Sequence, residues 1–488
     1  MTAQSGSLAP RLPGWPLLAG SAALTVLGAI LAILSPAAAV GLVVVVALVT
    51  FFVAVSNRPV DRLMVPFVGI TVVAAILGPN LAIPQAPAAF LFRVMIVALG
   101  VGTLGYLLMG GRIRFPSAIG IPVALLAALT AWATISIAWS QNTGAAIRWT
   151  AFLAMMIGVA VAMPMVLTTR RRVITMLTVL GWTFAGVTAF AFVEIATGYH
   201  LPTSRLTQMV GGTAFAATSV FGNQNNFATF LTLALPYLVT LPLVFRARRL
   251  VVIGIVGTVV DLAALLLTGS KDNLLAAGLV ILTLLLFLAT DPRQRSKLVG
   301  ALVIAVVAIA VVVPSLNGSG LIPLPQRAVN KFSFSLLEKE IASGQGSGAA
   351  RASLLTDGVN FVGQTGGFGV GAGNAETHVL ELADFPGVSN LHDWWLEVVV
   401  DLGLIGLALY ATYYLLLLTR QLRGARRAAD PLVRYLCLAG AAALIGFVVG
   451  SLAPSTMIAF SPMWVMFGIS MTAIAIADRA RRHGGRLP

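Results

Sequence analysis

The sequence predicts an all-α fold, a polytopic transmembrane helical bundle of about 14 spans with one large extracytoplasmic loop containing short helices. Composition is the first observation behind this. Of 488 residues, 58% are hydrophobic and only 10% charged, and the mean hydropathy is +0.96. A soluble domain carries about 25% charged residues. The second observation is that apolar runs of about 20 residues recur along the whole length, each long enough to cross a hydrocarbon core of roughly 30 Å. A transmembrane β-barrel would instead alternate apolar and polar positions over segments of about ten residues, and the chain shows no such pattern.

The spans are expected near residues 14–33, 37–56, 64–83, 88–109, 117–138, 149–168, 174–197, 226–245, 250–268, 273–290, 298–315, 394–418, 433–453 and 459–477. They define an N-terminal transmembrane bundle over 1–315, a large extracytoplasmic loop over 316–392, and C-terminal transmembrane helices over 393–488. The first apolar stretch exceeds the usual 7–15-residue core of a signal peptide, so it is read as a retained helix. Cys437 is the single cysteine and sits in an apolar run, which leaves no disulfide framework and no thiol metal site.

Charge sets the orientation, because short cytoplasmic loops carry the excess of Lys and Arg. Connections containing Arg58/Arg62, Arg112/Arg114, Arg170–Arg172, Arg246/Arg248/Arg249, Arg293/Arg295/Lys297 and Arg420–Arg434 alternate with connections poor in charge. Both termini, with Arg11 and Arg479–Arg486, fall on the basic side and are therefore cytoplasmic. The net charge of +15 is thus a topology signal and not a nucleic-acid surface.

All but eight of the 31 basic residues lie on that side. The eight are Arg93, Arg148, Arg205, Lys271, Arg327, Lys331, Lys339 and Arg351. Arg93, Arg148 and Lys271 recur near the outer ends of spans. A cation half-buried in a membrane is costly and usually meets an anion, and guanidinium forks match phosphate oxygens. A lipid diphosphate at the membrane surface fits such a set. Asp261, mid-span and ten residues before Lys271, reads as a structural partner for a buried cation.

Two external segments stand out. One is 198–225, and the other is the long loop, with an amphipathic piece near 326–342 and the glycine-rich "GQTGGFGVGAGNAE" at 363–376. A loop of that length without function is uncommon. It leads into "NLHDWWLEVVVDLGLIG", 390–406, where His392 sits at the outer start of the twelfth span. Ser389 or Asn390 can cap that helix, and its N-terminus favours anions. A neutral histidine facing a hydroxyl is a competent general base, since its reference pKa of about 6.5 lies near working pH. Asp393 or Glu397 could orient it, with Asp401 a turn further in. The same window also suits a histidine that merely caps a loop.

The window resembles the O-antigen ligase and polymerase superfamily of bacterial envelope glycosyltransferases. That family's motif is His, then Asn, Ser or Gln, nine residues, then Gly-x-x-Gly. Here His392 and Asp393 are followed by residues 394–402 and by Gly403-Leu-Ile-Gly406. The spacing matches, while Asp393 departs from the usual amide or hydroxyl residue. "GNQNNFATFLTLALP" at 222–236, containing Asn223 and Asn225, resembles the family's Asn-rich helix entry. "LLLTGSKDNLLAAG" at 265–278 resembles its Ser-Arg-Gly segment, with Lys271 where arginine is usual. "AARASLLTDGVNFVGQTGGFGVGAGN" resembles its arginine helix and glycine-rich turn.

The resemblance implies a GT-C-like multi-pass protein of the bacterial inner membrane with its active site on the extracytoplasmic face. The implied partners are a polyprenyl-diphosphate-linked glycan donor, a glycan or lipid acceptor and membrane lipids, with no cofactor and no nucleic acid. His392 would activate the acceptor hydroxyl without a metal. Arg351, Lys271 and Arg205 would contact the diphosphate, joined by the outer Arg148 and Arg93. Lysine at 271 removes bidentate geometry there, and Arg205 stands far from "GNQNN". No Asp-x-Asp or Glu-x-Asp pair lies on the outer side, and the first external loop has only about three residues. Both features speak against a metal-dependent polyprenyl-sugar transferase. A transporter would more often show two related halves, and none is evident. A cell-shape peptidoglycan polymerase is closer in architecture, but the His392–Gly406 window favours the ligase family.

The topology carries its own test. Cysteines introduced at Gly344 and Ser389 should label with an impermeant reagent from outside the cell, and one at Gly424 should not. Cytoplasmic labelling of the long loop would put the basic cluster on the wrong side.

Overall fold

In the computed structural model, the described residues are 61–83, 86–108, 115–208, 216–290, 347–381, 391–454, 458 and 460–485. The expected spans at 14–33, 37–56 and 298–315, and the amphipathic piece at 326–342 with Arg327, Lys331 and Lys339, lie outside them. The chain divides into two compact units, residues 1–62 with 81–113, and residues 63–80 with 114–488.

In the first unit a short antiparallel ribbon, β1 (Ala82–Ile83) and β2 (Ala86–Phe90), leads into the apolar helix α2 (Leu91–Leu108). α1 (Asp61–Leu77) begins at the unit boundary and belongs almost wholly to the second unit.

Among the described residues, every regular element of the second unit is a helix. After α1 come α3 (Gly120–Ser136), α4 (Thr143–Val166), α5 (Arg170–Thr197), α6 (Gln224–Val244), α7 (Arg248–Thr268) and α8 (Lys271–Thr290). Two loop helices follow, α9 (Ser347–Gln364) and α10 (Ala375–Glu381), and then α11 (Trp394–Arg427), α12 (Pro431–Gly450) and α13 (Ser461–Arg482). Ten helices among the described residues are long and apolar enough to cross a membrane, each overlapping an expected span. The fourth expected span is represented by a shorter apolar stretch, Leu91–Thr103.

Helix ends follow local chemistry. Asn142 caps α4 through Ala145 N (3.0 Å), and Asp430 caps α12 through Leu432 N (2.8 Å) with Pro431 in the first turn. Such caps satisfy amides that have no partner inside the helix and contribute about 1 kcal/mol each. α12 and α13 are the most buried spans. α12 packs against α6, α8, α11 and α13, while α13 also packs along α4. Between α11 and α13 lies an aromatic core in which Phe467 meets Trp464 at 5.7 Å and Tyr413 at 5.2 Å, both edge to face. Pairs of this kind contribute about 0.5–1.5 kcal/mol beyond the area they bury.

The parity read from charge is visible in the contacts. At one end Arg170 pairs with Asp430 at 3.1 Å, Arg479 donates to Thr168 O at 2.6 Å, Arg482 donates to Ser117 Oγ at 2.6 Å, and Arg420 donates to Ala118 O. Four basic connections therefore meet at a single basic end. A cavity of about 560 Å³ there is lined by Arg420, Arg423, Arg427 and Arg481, a richness that the topology alone accounts for. The opposite, charge-poor end gathers the connections that carry the candidate residues.

Candidate active site

α11 is not one straight span. Gly403 interrupts it with φ 67° and ψ −169°, a conformation open essentially only to glycine. The limb 394–402 folds back along the limb 404–427. Trp395, eight residues before the break, stacks 5.3 Å from Tyr410, seven residues after it. In an unbroken helix their Cα atoms would be about 22 Å apart. The expected span from residue 394 is thus a hairpin of two helical limbs, and only the second is long enough to cross.

Breaking a helix frees carbonyls and amides that must find partners. Here the glycine-rich turn between α9 and α10 supplies most of them. Val370 N donates to Val400 O (2.8 Å), Gly371 N to Asp401 O (3.0 Å), and Leu404 N to Gly367 O (2.8 Å). The indole N–H of Trp132 on α3 donates to Leu402 O at 2.7 Å. The approach is so close that a Cβ on Gly403 would lie 2.3 Å from Gly367 O, and one on Gly369 would lie 2.5 Å from Gly403 N. A Cβ on Gly406 would lie 2.2 Å from Leu402 Cβ. The two glycines of the His392–Gly406 window therefore make the break and admit the turn.

The same turn is held from its other side by α3, α4 and the short helical turn at 137–139. Ala372 N donates to Ser136 Oγ (3.0 Å), and the Trp139 indole donates to Gly369 O (3.1 Å). Asn142 N donates to Asn374 Oδ1 at 2.6 Å, and Asn374 Nδ2 returns a longer bond of 3.4 Å to Asn142 O. Asp401 Oδ1 takes Ala375 N at 2.8 Å, acting as an N-cap for α10 from another element. Asp401, expected as a supporting residue, is 1% exposed and ties the loop to α11.

His392 precedes this hairpin in a left-handed conformation, φ 51°, one of two such non-glycine residues among those described. Its neighbour Asp393 is the cap of α11, taking Trp395 N at 2.9 Å and Leu396 N at 3.1 Å, so the cap is neither Ser389 nor Asn390. Glu397 is buried one turn on. The limb is anchored by Trp394 N, which donates to Ser451 O (3.1 Å) at the end of α12. Gly450, one residue earlier, has its carbonyl taken by Thr229 Oγ1 of α6 at 3.3 Å. Its Cβ position would face Asn273 Oδ1 of α8 at 3.1 Å. Asn273 also receives Thr232 Oγ1 at 3.0 Å.

Lys271 is the first residue of α8, two before Asn273, and the structure thus brings its turn and the start of the His392 limb to one place. The N-termini of α6, α8, α11 and α13 gather around the end of α12, and helix N-termini attract anions. Asn223 caps α6 by accepting from Asn225 N at 2.8 Å, which gives the first asparagine of the Asn-rich entry its role.

Arg205 is exposed at the start of a short helical turn, its amide donating to Gly222 O at 2.8 Å. It is placed by a network that sequence reading did not single out. Glu194, the one acid of α5, is 1% exposed. Its carboxylate takes Thr218 N (2.8 Å), Thr218 Oγ1 (2.6 Å), Ser219 N (2.7 Å) and His200 Nδ1. A lone carboxylate in an apolar run is the available signal, the same one that marks Asp261. Asp261 is buried, and neither of its oxygens has a hydrogen-bond partner among the described residues. His378 lies on α10 against the ring of Phe361, 5.3 Å away, and not in an open loop.

Arg148 is exposed on the second turn of α4, behind the Asn142–Asn374 clamp. Arg351 lies on α9, which packs against α11, with Gly358 facing Leu396. Arg93 belongs to the first unit, over the ring of Phe90 at 4.7 Å.

Residues 256–411 match the O-antigen ligase family. The matched stretch runs from mid-α7 past Gly406 and so contains Lys271, Arg351 and His392. The chain is also similar to the teichuronic acid biosynthesis protein TuaE of Bacillus subtilis, with 24% identity over 407 residues and 80% of each chain covered. With the multi-pass helical architecture, these likenesses support the chain as a member of the O-antigen ligase and polymerase superfamily.

Proposed function

We propose that the protein transfers a glycan from a polyprenyl diphosphate to an acceptor hydroxyl on the extracytoplasmic side of the bacterial inner membrane. The observation that carries this reading is the meeting of the Lys271 turn and the His392 limb around the end of α12. Four helix N-termini and a cation favour the diphosphate there, and a histidine stands beside them. The family match supports glycan chemistry, and the bacterial relative's name ties a similar chain to synthesis of an envelope polymer.

In this mechanism Lys271, Arg351, Arg205 and Arg148 neutralise the diphosphate. His392 takes the proton of the acceptor hydroxyl as its oxygen attacks the anomeric carbon. The bond from that carbon to the diphosphate breaks, and the diphosphate leaves as a stable anion that needs little acid assistance. One base and no protein nucleophile give inversion at the anomeric carbon. No metal takes part, so activity should survive chelators.

Two variants test the anion contacts. Arg351→Ala should weaken donor use at least tenfold with normal expression. Lys271→Arg should be tolerated, because it restores the family's usual residue. An inactive Lys271→Arg beside an active Lys271→Ala would remove position 271 from the diphosphate site. A second reading, repeat-unit polymerase, is favoured by the relative's role in making teichuronic acid. Products from a purified lipid-linked oligosaccharide separate the two, a single transferred block marking a ligase and a ladder a polymerase.

A further inference from the structure

The Glu194 network is built for more than pinning a loop. Two backbone amides and the Thr218 hydroxyl already hold residues 218–219 against the carboxylate. His200 is added to the same oxygen, Oε1, that Thr218 Oγ1 reaches. A carboxylate that takes Nδ1–H fixes the tautomer, and the acceptor lone pair of the neutral ring is then on Nε2. Among the described residues no group bonds Nε2, and the side chain keeps 17% exposure. An imidazole held by a buried carboxylate with its second nitrogen open is the arrangement by which a histidine meets a substrate hydroxyl.

Two further observations place this ring. Ser219, which gives its amide to Glu194, has φ 48°; with His392 it is the other left-handed non-glycine residue among those described. Strain of this kind persists where surrounding contacts over-determine it, and it clusters at functional sites. Ala217 N, one residue before Thr218, donates to Leu267 O at 3.0 Å, four residues before Lys271. The network therefore borders the Lys271 turn and carries Arg205 on the same segment.

From this we infer that His200, oriented by Glu194, accepts a hydrogen bond from a hydroxyl of the sugar joined directly to the diphosphate. The inference rests on the diphosphate reading above. The sugar attached to a diphosphate held near Lys271 is the part of the donor that must lie beside it. His200 is then a recognition residue for the donor's first sugar, separate from the proton acceptor His392.

The test uses the full chain in detergent and two probes, a bare polyprenyl diphosphate and the same lipid carrying one hexosamine. His200→Asn keeps an amide N–H near the Nδ1 position for Glu194 but loses the Nε2 acceptor. It should bind the sugar-bearing lipid about fivefold more weakly, the loss of one neutral hydrogen bond, while the bare lipid binds as in wild type. His200→Gln, which returns an acceptor oxygen near the Nε2 position, should keep most of the preference for sugar. An unchanged ratio of the two affinities in His200→Asn would overturn the contact and leave the diphosphate reading standing. Equal weakening of both probes would place the ring on the phosphates and overturn the sugar contact as well. Failure of both probes to bind wild type would instead sink the diphosphate reading.

Discussion

Replacing His392 by alanine is expected to lower glycan transfer by about 10²–10⁴-fold, the usual contribution of a positioned general base. Binding of the lipid-linked donor should stay within about twofold of wild type, because the diphosphate meets Lys271 and the arginines and not the imidazole. The expected loss falls on turnover for a physical reason. The departing diphosphate is already stable as an anion, so the remaining barrier lies in removing the hydroxyl proton as the new bond forms. His392 stands in a left-handed turn one residue before the α11 cap, and Asp393 spends its carboxylate on two helix amides. His392→Ala therefore removes the imidazole without removing the cap. His378→Ala, on α10, should cost far less, and His200→Ala should fall between the two. Parallel measurement of single-turnover transfer and donor binding decides the matter, and near-normal turnover in His392→Ala would exclude the assignment.

Gly403→Ala is expected to abolish activity by a different route. Its backbone lies where only glycine is at ease, which alone costs about 1–3 kcal/mol for another residue. The added methyl would also sit 2.3 Å from Gly367 O, so the glycine-rich turn must move away. That movement uncouples the amides of Val370 and Gly371 from α11 and leaves buried carbonyls unpaired. The purified variant should unfold at a lower temperature and should lose transfer and donor binding together. Gly363→Ala is the control, because nothing lies within 4 Å of its Cβ position near the end of α9. It should be silent in both assays. A stable, active Gly403→Ala would show that the break in α11 is not needed.

The contrast between these two variants shows what sequence reading could reach. Membrane spans were legible because apolar length is a local property, and the ten described spans fall where hydropathy placed them. The gathering of four basic connections at one end was legible because charge bias is read loop by loop. The hairpin in α11 was not, because residues 394–418 read as one apolar span and hydropathy is blind to a backbone dihedral angle. Gly403 was visible as part of a motif, but its reason lies in a turn more than thirty residues earlier in the chain. The sequence offers Asp393 and Glu397 as candidates for orienting one histidine, and Asp401 as a supporting residue. The structure gives Asp393 to helix capping and Asp401 to loop anchoring, roles that depend on where the fold puts the amides. Glu194 went unmarked although it carries the same signal as Asp261, a single carboxylate in an apolar helix. What separates them is tertiary: among the described residues Glu194 receives four donors and Asp261 none.

The claim at the centre of this account is a single displacement of a polyprenyl diphosphate by an acceptor hydroxyl. It is met most directly by supplying the purified chain, in chelator-containing buffer, with a polyprenyl-diphosphate-linked oligosaccharide of known anomeric configuration and a hydroxyl acceptor. Each new glycosidic bond should be matched by one released polyprenyl diphosphate, and the transferred glycan should have the opposite anomeric configuration. Retention of configuration, or movement of the intact lipid-linked glycan across a bilayer without cleavage, would contradict it.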